Sequence, residues 1–176
     1  MWFFYVRKVR SIIADCIIND IHVCLKSNAP TGAVLLTYCA IDAMAFLHMP
    51  HNKKKNGRSD FKNWVRKYMK TDSSQPYQYH EDDLYGARCG LVHTYTADSD
   101  KSEMNQCKKI VYKINSLNHS YEPSKHPDLV VLAVDLFIRD FYDAVAKFLS
   151  DIEKDEDLNK RVTIRLPSLL FHIRKQ

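Results

Sequence analysis

Apolar residues recur at helical spacing along most of the chain. Between residues 2 and 27 they form a wide stripe, which predicts a long helix that is buried on much of its circumference. Residues 32–48 are almost wholly apolar and predict the central helix of a bundle, in which Asp42 is the only charged residue. A shorter apolar face over residues 61–69 predicts a further helix.

The second half of the chain shows the same period with strand-like interruptions. Residues 130–152 keep helical spacing for about six turns, whereas residues 109–114 and 162–166 have the pattern of short strands. The expected fold class is therefore all-α, an antiparallel helical bundle of four to five main helices, with a possible short strand pair in the C-terminal half. Residues 1–156 would form the bundle, and residues 157–176 a C-terminal extension packed on the same domain. A second apolar run over residues 169–171 would cap the bundle or bind a partner.

One helix carries an arginine in the middle of its apolar face. The spacing of its apolar residues is i, i+3, i+7, i+8 and i+11, and the residues are Leu84, Ala87, Leu91, Val92 and Tyr95. Arg88 lies on this face, and because a guanidinium cannot lose its charge in a protein it needs an anionic partner there. Asp42 is the most attractive candidate and would orient the arginine. A bond from Asp42 to a nearby hydroxyl or backbone group is the alternative.

The neighbours of Arg88 suggest a close contact. Two of the four glycines, Gly86 and Gly90, flank it, and each costs roughly 1 kcal/mol in a helix, which indicates the approach of a ligand or of another backbone. A plain helix-packing contact would explain them as well. At about 100° per residue, Tyr95 points nearly as Arg88 does, while His93 is about 140° away. An Arg88–His93 contact therefore fits poorly within one ideal helix, and better across two copies or in a helix bent at Gly90.

Arg88, His93 and Tyr95 together resemble a known pattern. Arg88-x4-His93 is similar to the Arg-x4–6-His signature of the HEPN superfamily, all-α domains that often act as metal-independent RNases, and the match spans eight residues plus the helical layout. With Tyr95 the motif looks like that of HEPN toxins paired with nucleotidyltransferase antitoxins, which adenylylate the tyrosine. The resemblance implies a homodimer that cleaves RNA by attack of the 2′-hydroxyl. Arg88 would hold the phosphate, His93 would move the proton, Tyr95 would lie on the face of the arginine, and no metal or other cofactor would take part.

Cys89 keeps two other interpretations open. The residue after the arginine is usually polar in active HEPN RNases, so a thiol there is compatible with a catalytically silent RNA-binding, nucleotide-binding or dimerisation module. For each site residue a structural role is also possible, with His93 as an ordinary surface or core histidine and Tyr95 as a core residue. A cysteine-dependent hydrolase using Cys89 and His93 is disfavoured because the pattern supplies no oxyanion site.

A basic segment lies between the central helix and the arginine motif. Residues 51–70 hold eight of the 26 basic residues, which would attract a phosphate backbone. The candidate RNA contacts are Lys53, Lys54, Lys55, Arg58, Arg66 and Lys67. A solvated lysine face would explain the run equally well. Tyr77 and Tyr79 could stack on unpaired bases, although packing against the bundle is the other use of such rings.

Composition and cysteine content point to the cytoplasm. The net charge of +5 is compatible with RNA, and five cysteines without a Cys-x-x-Cys pair fit a reducing compartment. The apolar start lacks the charge order of a signal peptide, and residues 32–47 are too few to span a bilayer. The His48-x-x-His51 pair lacks a third metal ligand and indicates a helix end.

Overall fold

The computed structural model describes residues 2–72, 77–97 and 106–169, with side chains described from residue 7 onward. The chain is mostly helical, as the apolar period predicts, and it carries a small three-stranded sheet. The HEPN-like arrangement of the helices remains a hypothesis.

The first helix is continuous but irregular. Helix α1, Trp2–Ile12, runs through a π-helical segment, Ile13–Ile18, into α2, Asn19–Lys26, with right-handed backbone angles at both junctions. Ile13 and Ile21 are both fully buried, yet eight residues of regular α-helix would leave them about 80° apart. The wider turns of the π segment reduce that offset, so both isoleucines reach the core.

Helix α3, Pro30–His48, is the centre of the fold. It packs against the helices before and after it in the chain and against both C-terminal helices, and Val34, Tyr38, Ile41 and Met44 are buried on it. It is also, within the described chain, the one helix whose length and apolar composition would suffice to cross a membrane, because it includes residues on both sides of 32–47. The expectation that this stretch is too short to span a bilayer is therefore wrong. Half of the stretch is buried inside the fold. A central helix of a packed domain satisfies the same criterion.

Two further helices complete the N-terminal half. Helix α4, Arg58–Trp64, continues as a π-helical segment, Val65–Met69, and buries aromatic rings against the core. Helix α5, Glu81–Thr94, carries the arginine motif and packs on α3 and α4. The predicted helices in this half are therefore all present.

The C-terminal half corrects two sequence-based expectations about strands. Strands β1, Lys109–Lys113, β2, Ser120–Tyr121, and β3, Leu129–Ala133, form a sheet in the order β1-β3-β2, so there are three strands rather than a pair. Strand β1 is parallel and β2 antiparallel to β3, with Ile110 opposite Val130. Val130 was expected in a helix, but helix α6, Val134–Lys154, begins only after β3. An apolar run fits a buried strand and a buried helix alike, which explains the error.

The last described helix corrects a third expectation. Residues 162–166 were predicted as a strand, but α7, Glu156–Arg165, is helical and ends in a 3₁₀ turn, Leu166–Ser168. Asp155 caps it by accepting from the backbone N–H of Leu158 at 3.0 Å. Leu158, Val162 and Leu166 are all buried, at helical spacing, so tertiary packing outweighs the β-branched composition. Leu169 packs partly buried against the core. The rest of the predicted apolar run lies outside the described residues.

Candidate active site around Arg88

Arg88 is held between α5 and α3 by a carboxylate. Its Nε donates to Asp42 Oδ2 at 2.7 Å, with the two side chains 20% and 23% exposed. Burial raises the pKa of Asp42 above its ordinary value, although the hydrogen bond and the charge of Arg88 oppose the rise. Burial acts to lower the pKa of Arg88, but the bond to Asp42 raises it overall. The expected ion pair is present, at an edge that solvent reaches.

The same guanidinium contacts His93. Arg88 Nη1 lies 3.0 Å from His93 Nε2, and because a guanidinium only donates, the imidazole nitrogen must accept. The expectation that this contact would fit poorly within one helix is therefore wrong. Helix α5 runs through Gly90 to Thr94, and the long arginine stem covers the five-residue separation at its exposed end.

Tyr95 does not lie on the buried face of α5. The helix ends at Thr94, and Tyr95 has left-handed backbone angles, with φ 58° and ψ 31°. Its N–H donates to the Leu91 carbonyl at 3.1 Å, and its side chain is 65% exposed. Because the helical spacing stops one residue earlier, the extrapolation that placed Tyr95 on the apolar stripe fails, and so does its alternative role as a core residue.

Asn56 belongs to the site, although the sequence pattern did not identify it. Its Nδ2 donates to the backbone carbonyl of Asp42 at 3.0 Å and to Asp42 Oδ1 at 3.4 Å. Asp42 thus meets Asn56 with one carboxylate oxygen and Arg88 with the other. A single asparagine among the loop lysines has no periodic signal, so only the tertiary structure reveals this contact.

Tyr85 is the tyrosine that lies beside Arg88 within α5. Burial raises its pKa first, and interaction with the Cys89 thiol raises it further; Cys89 also interacts with Arg88. The Arg58 guanidinium carbon is 5.8 Å from the centre of the Tyr85 ring. Cys89 lies one helical turn after Tyr85, at a spacing where side chains meet.

The basic surface is largely matched by carboxylates. Four of the six candidate RNA contacts form ion pairs, namely Lys53–Asp60 at 2.8 Å, Arg58–Asp82 at 3.0 Å, Arg66–Glu81 at 2.6 Å and Lys67–Asp151 at 3.1 Å. Lys54 and Lys55 are exposed and form no ion pair with any residue that the structure describes. Among the six candidate RNA contacts, these two lysines are therefore the ones at which an RNA phosphate would not compete with a described carboxylate.

Tyr79 is part of the core rather than a stacking platform. It is buried and donates to Asp140 Oδ2 at 2.8 Å, and the same oxygen is 3.3 Å from His119 Nε2. His119 Nδ1 accepts from the N–H of Ala133 at 3.1 Å. Tyr77 packs edge-on against Tyr79, with ring centres 5.7 Å apart. For this pair the interpretation as rings that pack against the bundle is confirmed.

His48 and His51, at the end of α3 and just after it, have different surroundings. His48 is the last residue of the helix, and His51 is exposed, 3.2 Å from Asp157. Across the described ranges there is no group of three or more histidine, cysteine or acidic side chains that could hold a metal ion. The interpretation of His48 as a helix end is confirmed.

Comparisons with models of protein families, with curated proteins and with solved structures found no match to this chain.

Proposed function

We propose that this protein is a metal-independent endoribonuclease of the HEPN toxin or defence type, with Arg88 and His93 as its catalytic residues. The observation that carries the proposal is the 3.0 Å contact between Arg88 Nη1 and His93 Nε2, with Asp42 bound to the other side of the guanidinium. A cation and a proton acceptor are thus adjacent on an exposed helix end. That is the pair of groups which phosphodiester cleavage by a 2′-hydroxyl requires.

The chemistry divides between the two side chains. His93 Nε2 takes the proton as the 2′-oxygen attacks phosphorus, and the bond to the 5′-oxygen breaks to leave a 2′,3′-cyclic phosphate. The leaving 5′-oxygen takes a proton from a water molecule, and the protonated His93 gives its proton to the hydroxide that this leaves. Arg88 offsets the charge that develops on the phosphate oxygens. Substrate would draw Nη1 from the imidazole to the phosphate and free Nε2 as a base, while the bond from Nε to Asp42 keeps the guanidinium in place.

The assembly and the partners follow from the same resemblance. A homodimer would bring two Arg88–His93 sets into one cleft. RNA would be held by the basic segment, in which Lys54 and Lys55 are the cations that pair with no carboxylate of the described residues. Tyr95 is 65% exposed, so its hydroxyl is accessible to a nucleotidyltransferase antitoxin.

The test is RNA cleavage by purified protein in EDTA. We expect products with 2′,3′-cyclic phosphate ends and a loss of about 10²-fold or more in Arg88→Ala and His93→Ala. Asp42→Asn should lose about 10²-fold, because the guanidinium loses its anchor. Arg139→Ala and His126→Ala remove exposed residues of the same types and should cleave like the wild type. Activity that survives in both Arg88→Ala and His93→Ala would refute the proposal.

The second candidate is a catalytically silent RNA-binding, nucleotide-binding or dimerisation module of the same shape. The thiol of Cys89 directly after Arg88 favours it, since a polar residue usually follows the arginine in active members. A wild-type protein that binds RNA or dimerises but leaves every RNA intact would select this candidate.

A further inference from the structure

One carboxylate joins the catalytic arginine to the lysine loop, defined as residues 51–57. Asp42 Oδ2 accepts from Arg88 Nε at 2.7 Å, and Asp42 Oδ1 and the Asp42 backbone carbonyl accept from Asn56 Nδ2 at 3.4 and 3.0 Å. The path from the loop to the guanidinium is therefore two hydrogen-bonded steps long. Asn56 is the loop side chain that makes the first step.

The direction of the Asn56 amide is fixed by chemistry. Asp42 presents only acceptors to it, so the NH₂ group must face Asp42. The Asn56 Oδ1 is buried and has no hydrogen-bond partner among the residues that the structure describes. A buried acceptor without a partner destabilises a fold, and such groups occur where a side chain is retained for another purpose. Here that purpose is donation to Asp42.

The lysine loop is anchored on both sides of Lys54 and Lys55. Before them, Lys53 Nζ lies 2.8 Å from Asp60 Oδ1, and Arg165 Nη2 donates to the Pro50 carbonyl at 2.6 Å. After Asn56, the N–H of Gly57 donates to Asp60 Oδ2 at 3.0 Å. Lys54 and Lys55 are exposed between these anchors and directly precede Asn56. Phosphates bound to them would act on a segment already attached to Asp42.

We propose that Asn56 is a positioning residue that couples the lysine loop to Arg88 through Asp42. RNA phosphates on Lys54 and Lys55 fix the loop, and Asn56 holds the carboxylate that sets the guanidinium for the scissile phosphate. The inference rests on the proposed ribonuclease function, and it separates two effects. Asn56 acts on kcat, whereas the two lysines act on RNA binding.

Cleavage kinetics test this separation. We expect Asn56→Ala to lower kcat at least tenfold with KM within about twofold of the wild type, because the guanidinium is misplaced rather than lost. Asn56→Asp sets a second carboxylate against Asp42 and should lower kcat at least as far. Lys54→Ala/Lys55→Ala should raise KM and reduce the salt slope of RNA binding by about 2. Asn52→Ala, in the same loop, is the matched asparagine control, and Lys125→Ala/Lys154→Ala is the matched charge control.

A second measurement does not depend on cleavage. In the arginine-labelled chain of 176 residues, the Nε–H signal of Arg88, assigned by its loss in Arg88→Ala, should exchange slowly with water. The exchange should accelerate about fivefold or more in Asn56→Ala and Asn56→Asp and stay at the wild-type rate in Asn52→Ala and Lys54→Ala/Lys55→Ala. Circular dichroism equal to that of the wild type would establish that each variant is folded.

The outcomes separate the two proposals. If exchange and kcat in both Asn56 variants match those of Asn52→Ala, the coupling is overturned, whatever the wild type cleaves. If exchange depends on Asn56 while the wild type cleaves no RNA, the link to Arg88 is supported and the ribonuclease function is refuted.

Discussion

His48 is a residue whose protonation opposes folding. It ends α3 with its ring centre 5.6 Å from that of Tyr68 and 6.1 Å from that of Phe148. Burial, together with the charges of Lys67 and Arg161, lowers its pKa from 6.5 to about 4. The folded protein therefore keeps this imidazole neutral in a range where an unfolded chain would protonate it.

Folding stability should fall in mild acid because of His48. The histidine contributes fully above pH 6.5, and its contribution is lost as the pH falls from 6.5 to about 4, because the unfolded chain binds the proton first. Between pH 7 and pH 4.5 the loss should be about 2 kcal/mol. Urea denaturation at both pH values should show a smaller acid-dependent loss in His48→Gln than in the wild type. The exposed His51→Gln variant is the control, and equal losses in all three proteins would contradict the assignment.

The polar pairs of the site were only partly predictable from residue types. Asp42 and Arg88 are charges on two otherwise apolar helix faces, and pairing them follows from the cost of burying a lone charge. Asn56 is uncharged, so the cost of burying a lone charge does not apply to it. The sequence therefore contained no indication of its contact with Asp42. The Arg88–His93 contact was judged a poor fit because ideal helical angles take no account of the length of an arginine side chain. Tyr95 was placed on the apolar face of α5 because hydrophobic periodicity does not show the exact residue at which a helix ends.

At the scale of an element, two arginines of α7 attach it to the rest of the fold, because their guanidinium groups donate hydrogen bonds to backbone carbonyls at the end of α3. Arg165 is buried and donates to the carbonyls of Met49 and Pro50, each at 2.6 Å, and Arg161 donates to the carbonyl of His48. These carbonyls lie at and just after the C-terminal end of α3, where the helix dipole favours cations. These contacts give hydrogen-bond donors to carbonyls at the C-terminal end of α3 and attach α7 to that end.

Removing the Arg165 guanidinium should loosen this attachment. Arg165→Met keeps the long stem but leaves the Pro50 carbonyl without this donor and the Met49 carbonyl with only the longer bond from Arg161, at 3.3 Å. We expect a loss of about 3 kcal/mol in the free energy of unfolding. Urea denaturation with an unchanged m-value would measure it. Lys160→Ala breaks an exposed pair with Glu156 on the same helix and should cost less than about 0.5 kcal/mol. Equal effects of the two substitutions would show that the Arg165 contacts add nothing.

The helices were predictable where the apolar period is long, and the errors fall where local preference and packing disagree. The stretch 129–133 is apolar throughout, so its sequence did not separate a strand from the start of α6. The stretch 162–166 is rich in β-branched residues, but the Asp155 cap and the buried face of α7 make it helical. The π segments are invisible to a 3.6-residue period because they depart from it.

At the scale of the whole molecule, the proposed dimer would contain two complete catalytic sets. Arg88 and His93 of one chain are in contact with each other, so neither needs a residue from a second copy to complete the pair. Dimerisation would then shape the cleft around the RNA rather than assemble the Arg–His pair.

Mixing inactive variants should therefore restore nothing. A mixture of Arg88→Ala and His93→Ala proteins, exchanged through the monomer, should cleave RNA no faster than the sum of the two alone, because every chain lacks one member of its pair. Sedimentation would establish that mixed dimers form, and wild-type protein diluted with Arg88→Ala serves as the positive control. Recovery of about a quarter of the wild-type activity would instead mean that the pair forms between chains.

The π-helical segment Ile13–Ile18 has a consequence for chain length. Its wider turns hold about one residue more than an α-helix of the same span, while Ile13 and Ile21 stay buried on one side. A chain shorter by one residue in this stretch could wind as a regular α-helix and bury the same two positions. The domain can therefore absorb a one-residue deletion inside its first helix, and two sequences with this same core would align there only across a gap.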